Sequence, residues 1–194
     1  MEKSNLIPFV RNNLDVLFIG LNPAKGSSRN KHYFSVNQAF WNQLFSAGLI
    51  KSIIDKSNAD DIVFGSTKIN CNNYQFGITD LVTKIAESNS QKIKPTDEDC
   101  KILKETIIKI KPRTAVILHG KVLDRFISYL GFEPPEANTG YIGELIDSCP
   151  TSFFNIAFPH GNSIKSEKKI IRYKELKTFL MKTHPNKKYS AFGR

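Results

Sequence analysis

An apolar run near the N-terminus constrains the fold of this chain more than any other feature of its sequence. Residues 16–21 are aliphatic, β-branched or aromatic apart from Gly20, and the turn Asn22-Pro23 ends the run abruptly. Such a run is typical of a buried strand in a parallel sheet. The turn places Asn22 at the carboxyl end of that strand, where open α/β sheets bind their ligands. We therefore expect a functional site around Asn22.

The residues after this turn have the composition of a binding loop followed by a helix. A polar segment that contains glycine and basic residues, 25–31, precedes the aromatic pair Tyr33-Phe34. A helix is predicted next, with Asn37 as its N-cap and Gly48 at its end. We interpret this stretch as the site and the remainder of the chain as its support.

The rest of the chain alternates predicted strands and helices. We predict a polar lead-in over 1–14 and a strand or strand end within 74–82. A helix follows that Thr96 and Asp99 cap and Pro112 ends. Beyond it we predict a strand at 114–118, a helix at 122–130, a loop at 133–143, a strand at 152–158 and a final helix from Ser166. This order predicts a three-layer α/β/α sandwich with a mostly parallel central sheet of about four strands. We expect one domain over 1–194, with 185–194 as a basic, mobile tail.

Three of the predicted strands end in polar, turn-rich clusters. These clusters are Asn22-Pro23, His119-Gly120 and Pro159-His160-Gly161-Asn162. The carboxyl ends of parallel strands face one edge of a sheet, so clusters that are distant in sequence can converge there.

Composition limits the class of protein. No apolar run approaches the roughly 20 residues that a membrane span needs, and residues 1–11 are too polar for a signal peptide. The three cysteines, Cys71, Cys100 and Cys149, have no CxxC spacing and support neither a disulfide framework nor a metal site. We expect a cytoplasmic, nucleoid-associated monomer that uses no metal and no cofactor.

Positive charge is concentrated in two regions. The net charge is +10, and residues 160–194 contain ten lysines and arginines against two acidic residues. Residues 25–54 contain four basic residues and no acidic one. A polyanion is a natural partner for such a chain. A lysine-rich chain with a solvated helix face is the alternative, and charge alone is consistent with both.

Short segments in order along the chain carry a resemblance to a known family. They are Gly20-Leu21-Asn22-Pro23, Phe34 twelve residues beyond Asn22, Phe40-Trp41 with Ala47-Gly48, residues 76–82, residues 116–121 and residues 159–163. Over 15–179 they resemble the uracil-DNA glycosylase superfamily, closest to its mismatch-specific uracil/thymine-DNA glycosylase branch. The first segment resembles that branch's Gly-Ile-Asn-Pro-Gly motif, with Ala24 in place of the last glycine. The last segment occupies the place of its Asn-Pro-Ser-Gly-Leu-Ser motif.

The resemblance implies a monofunctional DNA glycosylase that acts on uracil or a related mismatched or deaminated base. Such an enzyme flips the nucleotide out, steadies an oxocarbenium-like sugar and a departing base anion, and presents a water to C1′. Asn22 is the candidate for positioning that water, because its amide accepts a hydrogen bond without being a base. We therefore expect slow excision that is limited by selectivity.

The resemblance also implies a base pocket. Phe34 would stack on the flipped base, or Tyr33 would if the alignment is shifted by one residue, and Leu21 lies beside them in the first motif. His119 stands where the family can hold an asparagine that hydrogen-bonds the pyrimidine edge. A neutral imidazole could donate to a uracil carbonyl or to a hypoxanthine acceptor.

The last of these segments, residues 159–163, is interpreted as the second motif of the family and as the loop that faces the DNA. His160 would stabilise the departing anion, or would contact a phosphate or the sugar, since it follows the proline instead of preceding it. Residues Gly161, Asn162 and Ser163 would enter the minor groove and fill the gap left by the base. The candidate phosphate contacts are Lys25, Arg29 and Lys165.

Two other functions remain possible from the sequence. The altered second motif and Ala24 are also compatible with a glycosylase-like module that binds modified or mismatched DNA without excising a base. A nucleotide-binding enzyme of another class is less favoured, because the chain has neither a GxGxxG nor a GxxxxGK[ST] motif.

Overall fold

A computed structural model describes residues 1–147 and 149–183. Its strands are β1 (Glu2–Lys3), β2 (Val16–Gly20), β3 (Phe76–Asp80), β4 (Ile85–Ala86), β5 (Thr114–Ile117), β6 (Gly140–Glu144) and β7 (Ser152–Asn155). Its helices are α1 (Lys25–Asn30), α2 (Ala39–Ser46), α3 (Ala59–Val63), α4 (Asp97–Ile110), α5 (Gly120–Tyr129) and α6 (Ser166–Thr183). The predicted basic tail lies outside the described residues.

The central sheet has five strands in the order β3-β2-β5-β7-β6. The first four are mutually parallel, and β6 pairs antiparallel with β7 at one edge. The expected count of about four strands was low because part of the predicted loop at 133–143 forms β6. This edge strand contains Gly140 and Gly143, pairs with only one neighbour and is irregular between Tyr141 and Gly143, so it lacks a strand-like sequence pattern.

Helices cover both faces of the sheet, which confirms the predicted α/β/α fold. One hydrophobic cluster joins Phe18 of β2 to Leu44 of α2 and Leu176 of α6. A second cluster on the other face joins Leu17 of β2 to the helices α4 and α5. The side chains alternate along β2 because a strand points successive residues to opposite faces.

The capping box of α4 forms as predicted, whereas the N-cap of α2 is Gln38 and not the predicted Asn37. Thr96 and Asp99 form a reciprocal capping box at the start of α4, and the apolar stripe of that helix is buried. The side chain of Asn37 accepts a hydrogen bond from the Ala39 N–H at 2.8 Å, in the first turn of α2. Gly48, with φ of +70°, follows that helix in the left-handed conformation that glycine tolerates best.

Two segments differ from the prediction because tertiary contacts override weak local preferences. The expected loop at 25–31 contains α1, a helix of six residues that ends at Lys31 in a left-handed conformation. The expected lead-in is paired: β1 joins β4, and Phe9 bridges Ile78 at the outer side of β3.

This topology brings the predicted site elements together. Strands β2, β5 and β7 are adjacent and parallel, so the segments that follow them emerge at one edge of the sheet. Within the described part of the chain, no helix is long and apolar enough to cross a membrane.

Candidate active site

Hydrogen bonds to the main chain fix the orientation of the Asn22 side-chain amide. Its Nδ2 donates to the Pro23 carbonyl at 2.9 Å and to the Glu87 carbonyl at 2.8 Å. Carbonyl oxygens only accept hydrogen bonds, so the nitrogen must be the atom that faces them. Both amide hydrogens are therefore engaged, and the side-chain oxygen accepts no hydrogen bond from the part of the chain that the structure describes.

The loop that carries the two aromatic residues is tied to α3. The backbone N–H of Tyr33 donates to Asp60 Oδ2 at 2.7 Å, and His32 Nδ1 lies 2.8 Å from Asp60 Oδ1. Asp60 is fully buried. This anchor determines the path of the chain into Phe34.

Phe34 adopts a backbone conformation that is unusual for a bulky residue. Its φ is +53°, in the left-handed region, and such conformations are concentrated at functional sites. Its ring stacks on Phe40 with centroids 4.1 Å apart, so one face of the ring is covered. The side chain is half-buried, and its ring also lies 6.0 Å from the ring of Phe158, three residues beyond the end of β7.

Phe158 joins the clusters from three strands. Its ring contacts His119, which follows β5, at 5.8 Å and His160 at 5.1 Å between centroids. The strand-end clusters that contain His119 and His160 were expected to converge, and the structure places both of these rings, together with Phe34, around the ring of Phe158. Phe158 itself was missed, because a phenylalanine near the end of an apolar run is interpreted as core.

The geometry at His119 sets which nitrogen carries the proton. Its Nδ1 accepts a hydrogen bond from the Lys121 N–H at 3.1 Å, which caps the start of α5. The neutral ring must therefore carry its proton on Nε2. Burial and the charge of Lys121 lower the pKa of His119, so the neutral donor form prevails at neutral pH.

The segment after β7 is an exposed loop. His160, Gly161, Asn162 and Ser163 are all exposed. Asn162 does not project from this loop: its Nδ2 donates to the Phe158 carbonyl at 2.8 Å, and its Oδ1 accepts from the Ile164 N–H at 3.2 Å. Its side chain therefore organises the loop instead of extending as a wedge.

Asp80 is a buried acid that sequence reasoning did not single out as a site residue. It ends β3 beside Gly20, where a Cβ would lie 2.3 Å from Asp80 Oδ1. The hydroxyl of Tyr33 hydrogen-bonds this carboxyl group, and burial raises the pKa of Asp80 to about 7. Its Oδ2 is buried without a hydrogen-bond partner. The glycine of the first motif therefore makes room for an acid directly behind that motif.

Two of the predicted base-binding residues lie in the core. Tyr33 is 5% exposed, so Phe34 is the more accessible of the two aromatic rings. Leu21 belongs to the hydrophobic cluster on the face of the sheet opposite Phe34. The structure therefore argues against a pocket that the side chains of Leu21 and Phe34 share.

The predicted phosphate contacts differ in their pairing. Lys25 lies 3.4 Å from Glu87, and Arg29 lies 2.9 Å from Glu2. Lys165 is exposed and forms no ion pair with another described residue. Lys165 is therefore the cation that is most available to a phosphate.

One group of side chains among the described residues has the composition of a metal site. It consists of His32, Asp60 and Asp61. Asp60 already accepts hydrogen bonds from the Tyr33 and Asp61 backbone N–H groups and contacts His32 Nδ1. These contacts explain the group as the anchor of the loop that carries Phe34.

The fold and the site define an α/β/α protein whose functional groups lie at the carboxyl edge of parallel strands, as in many proteins that bind nucleotides. A family model for the uracil DNA glycosylase superfamily matches residues 7–186, so the chain belongs to that superfamily. Its members are in general DNA glycosylases. No curated protein matches the chain.

Proposed function

We propose that this protein is a monofunctional DNA glycosylase that hydrolyses the N-glycosidic bond of uracil, or of a related mismatched or deaminated base, flipped out of DNA. The observation that carries the proposal is the amide of Asn22, whose nitrogen is held by two backbone carbonyls while its oxygen has no hydrogen-bond partner among the described residues. An oriented acceptor at this edge is what a water-positioning residue requires.

The first step of the proposed reaction is the approach of the water. Asn22 Oδ1 accepts a hydrogen bond from the water and directs its oxygen toward C1′ of the flipped nucleotide. The amide is not a base and does not deprotonate the water. Cleavage of the C1′–N bond therefore runs ahead of water attack, and the water adds to a sugar that is already cationic. The product is an abasic site and the free base, and the proton that water loses is released to solvent or to the departing base.

The base is held by groups from two strand ends. It stacks on the face of Phe34 that Phe40 leaves uncovered, a contact worth about 1–3 kcal/mol. The Nε2–H of His119 donates to a carbonyl oxygen of the base. As the bond breaks, charge accumulates on that oxygen, so this hydrogen bond becomes stronger in the transition state.

The exposed loop after β7 faces the DNA in this proposal. His160 approaches the departing base, a phosphate of the DNA or the sugar, and Gly161 and Ser163 approach the minor groove. Lys165 contacts the phosphate backbone. We further propose that the protein is closest in specificity to the mismatch-specific branch, and that it acts as a monomer in the cytoplasm at the nucleoid.

A panel of labelled oligonucleotides tests the proposal. The panel contains single-stranded uracil, U·G, T·G and hypoxanthine, and alkali cleaves any abasic site that forms. We expect alkali-dependent cleavage of at least one substrate by the wild-type protein and none by Asn22→Ala. No cleavage of any substrate, or equal cleavage by both proteins, would contradict the proposal.

A second candidate function is a module that binds modified DNA without excision. The folded-back side chain of Asn162 favours it, because this loop then lacks an apolar wedge to hold a duplex open. Tight binding to the same panel that does not depend on Asn22, with no abasic product, would establish this function instead.

A further inference from the structure

Lys169 is a buried cation beneath the second motif. It lies in the second turn of α6 with 2% of its surface exposed. Its Nζ donates to the Pro159 carbonyl at 3.3 Å. Among the described residues no carboxylate pairs with this ammonium group. A buried and unpaired charge is costly, so its presence requires an explanation.

The hydrogen bond to Pro159 does not supply that explanation. Gln43 of α2 donates to the same carbonyl at 3.0 Å and also contacts Ser166 Oγ at 3.1 Å. The Pro159 carbonyl would therefore keep one hydrogen bond, from Gln43, if an apolar side chain replaced Lys169.

The charge of Lys169 acts on the neighbouring residue. His160 directly follows Pro159, and although the residue as a whole is exposed, its ring packs against Phe158. Its pKa is lowered first by this partial burial and then by the charge of Lys169. The other buried groups nearby are neutral: α2 presents Gln43, and α6 presents Tyr173, whose pKa is raised by burial. Lys169 is therefore the buried charge, among the described residues, that acts on His160.

We propose that Lys169 is a positioning residue of the active site, whose buried ammonium group supplies positive potential at the Pro159–His160 turn and so stabilises the departing base anion. This inference rests on the proposed glycosylase function. A fixed charge that water does not screen stabilises an anion that forms during the reaction more than it stabilises the neutral base. It also keeps His160 neutral, so that the imidazole can donate one hydrogen bond without gaining a proton.

The test replaces Lys169 by methionine, which has a similar length and no charge. Removal of a buried, unpaired charge does not destabilise the fold, so we expect Lys169→Met to melt at or above the wild-type temperature. We also expect its single-turnover excision rate, at saturating enzyme, to fall at least about 10-fold. Lys174→Met, an exposed change on the same helix with the same loss of charge, should have the wild-type rate. Lys169→Arg, which keeps the charge, should recover part of the rate if it folds.

Two results would overturn the inference. One is an excision rate of Lys169→Met equal to that of Lys174→Met in an enzyme that is otherwise active. The other is a slower excision rate of Lys169→Met that is accompanied by a lower melting temperature. That result would indicate that Lys169 has a structural role only.

A titration separates this inference from the proposed function. The pKa of His160, followed by NMR and assigned with His160→Asn, should rise in Lys169→Met and stay unchanged in Lys174→Met. An unchanged pKa in Lys169→Met would refute the electrostatic link whether or not the protein excises a base. A wild-type protein that cleaves nothing would instead refute the proposed function.

Discussion

The segments after β2 and after β7 reach the same edge of the sheet but are built differently. The first presents Asn22, whose amide is held by the main chain of Pro23 and of Glu87, a residue 65 positions away. The second presents the exposed His160, and the side chain of Asn162 contacts only its own loop. Directing a water at one atom requires a fixed group, whereas a loop that meets DNA must remain accessible.

The supports of the two segments also differ. Behind the first lies the acid Asp80, whose carboxyl group fills the space left by Gly20. Beneath the second lies the ammonium group of Lys169. Each is a buried ionisable group without an ion-pair partner among the described residues, and such groups are concentrated at functional sites. The comparison therefore predicts that the loss of the fixed amide of Asn22 slows the chemical step more than any substitution at or beneath the second segment does.

The largest effect should follow Asn22→Ala. Loss of the acceptor leaves the water undirected, and we expect the single-turnover excision rate to fall at least about 1,000-fold, in line with removal of an oriented polar group from other active sites. Binding to uracil-containing DNA should change little. Rapid-quench cleavage and fluorescence anisotropy measure the two quantities. Asn42→Ala, an exposed change on α2, is the control. An excision rate near wild type for Asn22→Ala would show that the segment after β2 does not hold a group that directs the water.

Asp80→Asn should change stability in a pH-dependent way. The pKa of Asp80 rises from 3.8 to about 7 on folding, so the folded state holds a proton that the unfolded state releases between these values. Stability therefore falls as the pH rises through that window, and the penalty is complete above it. Asparagine does not ionise, so the variant should gain on the order of 4 kcal/mol over wild type at about pH 8, and the gain should shrink toward about pH 4.

Urea unfolding at several pH values measures this difference. The exposed Asp124→Asn on α5 is the control and should show no such trend. A gain for Asp80→Asn that is equal at all pH values would mean that Asp80 does not titrate behind the first segment.

Phe34→Ala should weaken binding more than it slows the chemical step. The stacking surface for the base is lost, which corresponds to about 1–3 kcal/mol. We expect a higher dissociation constant for DNA with an extruded base and a smaller change in the single-turnover rate at saturating enzyme. The control is Phe132→Ala, an exposed phenylalanine just beyond α5. If binding is unchanged and only the melting temperature falls, then Phe34 is a core residue.

The sequence predicts the fold well wherever local signals agree with tertiary structure. The run that forms β2, the capping box at Thr96 and the polar strand ends are each encoded within a few residues. Strand β6 and helix α1 are not encoded in this way. The first is a glycine-containing edge strand that β7 aligns, and the second is a short polar helix held by its surroundings.

The candidate site residues are a prediction from the sequence, whereas the groups that support them are visible only in the structure. Asn22, Phe34 and His119 are identifiable from motif order. The contact between Asn22 and Glu87 joins segments that share no local pattern, so no periodicity reveals it. Lys169 is one of several lysines on a helix with a solvated face, and only packing distinguishes it as buried. Phe158 is similar, since its role depends on which three rings surround it.

The smallest predicted effect compares two lysines that differ in pairing. Lys165 forms no ion pair with the described residues, whereas Lys25 already contacts Glu87. A lysine that neutralises one phosphate contributes about 0.9 to the slope of log K against log salt concentration. Lys165→Met should reduce that slope by about this amount, and Lys25→Met should reduce it less, because the Lys25 ammonium group is shared with a carboxylate.

Binding titrations at several salt concentrations, with the exposed Lys101→Met on α4 as the control, measure both slopes. Equal slopes for all three variants would mean that neither segment contacts the phosphate backbone through these side chains.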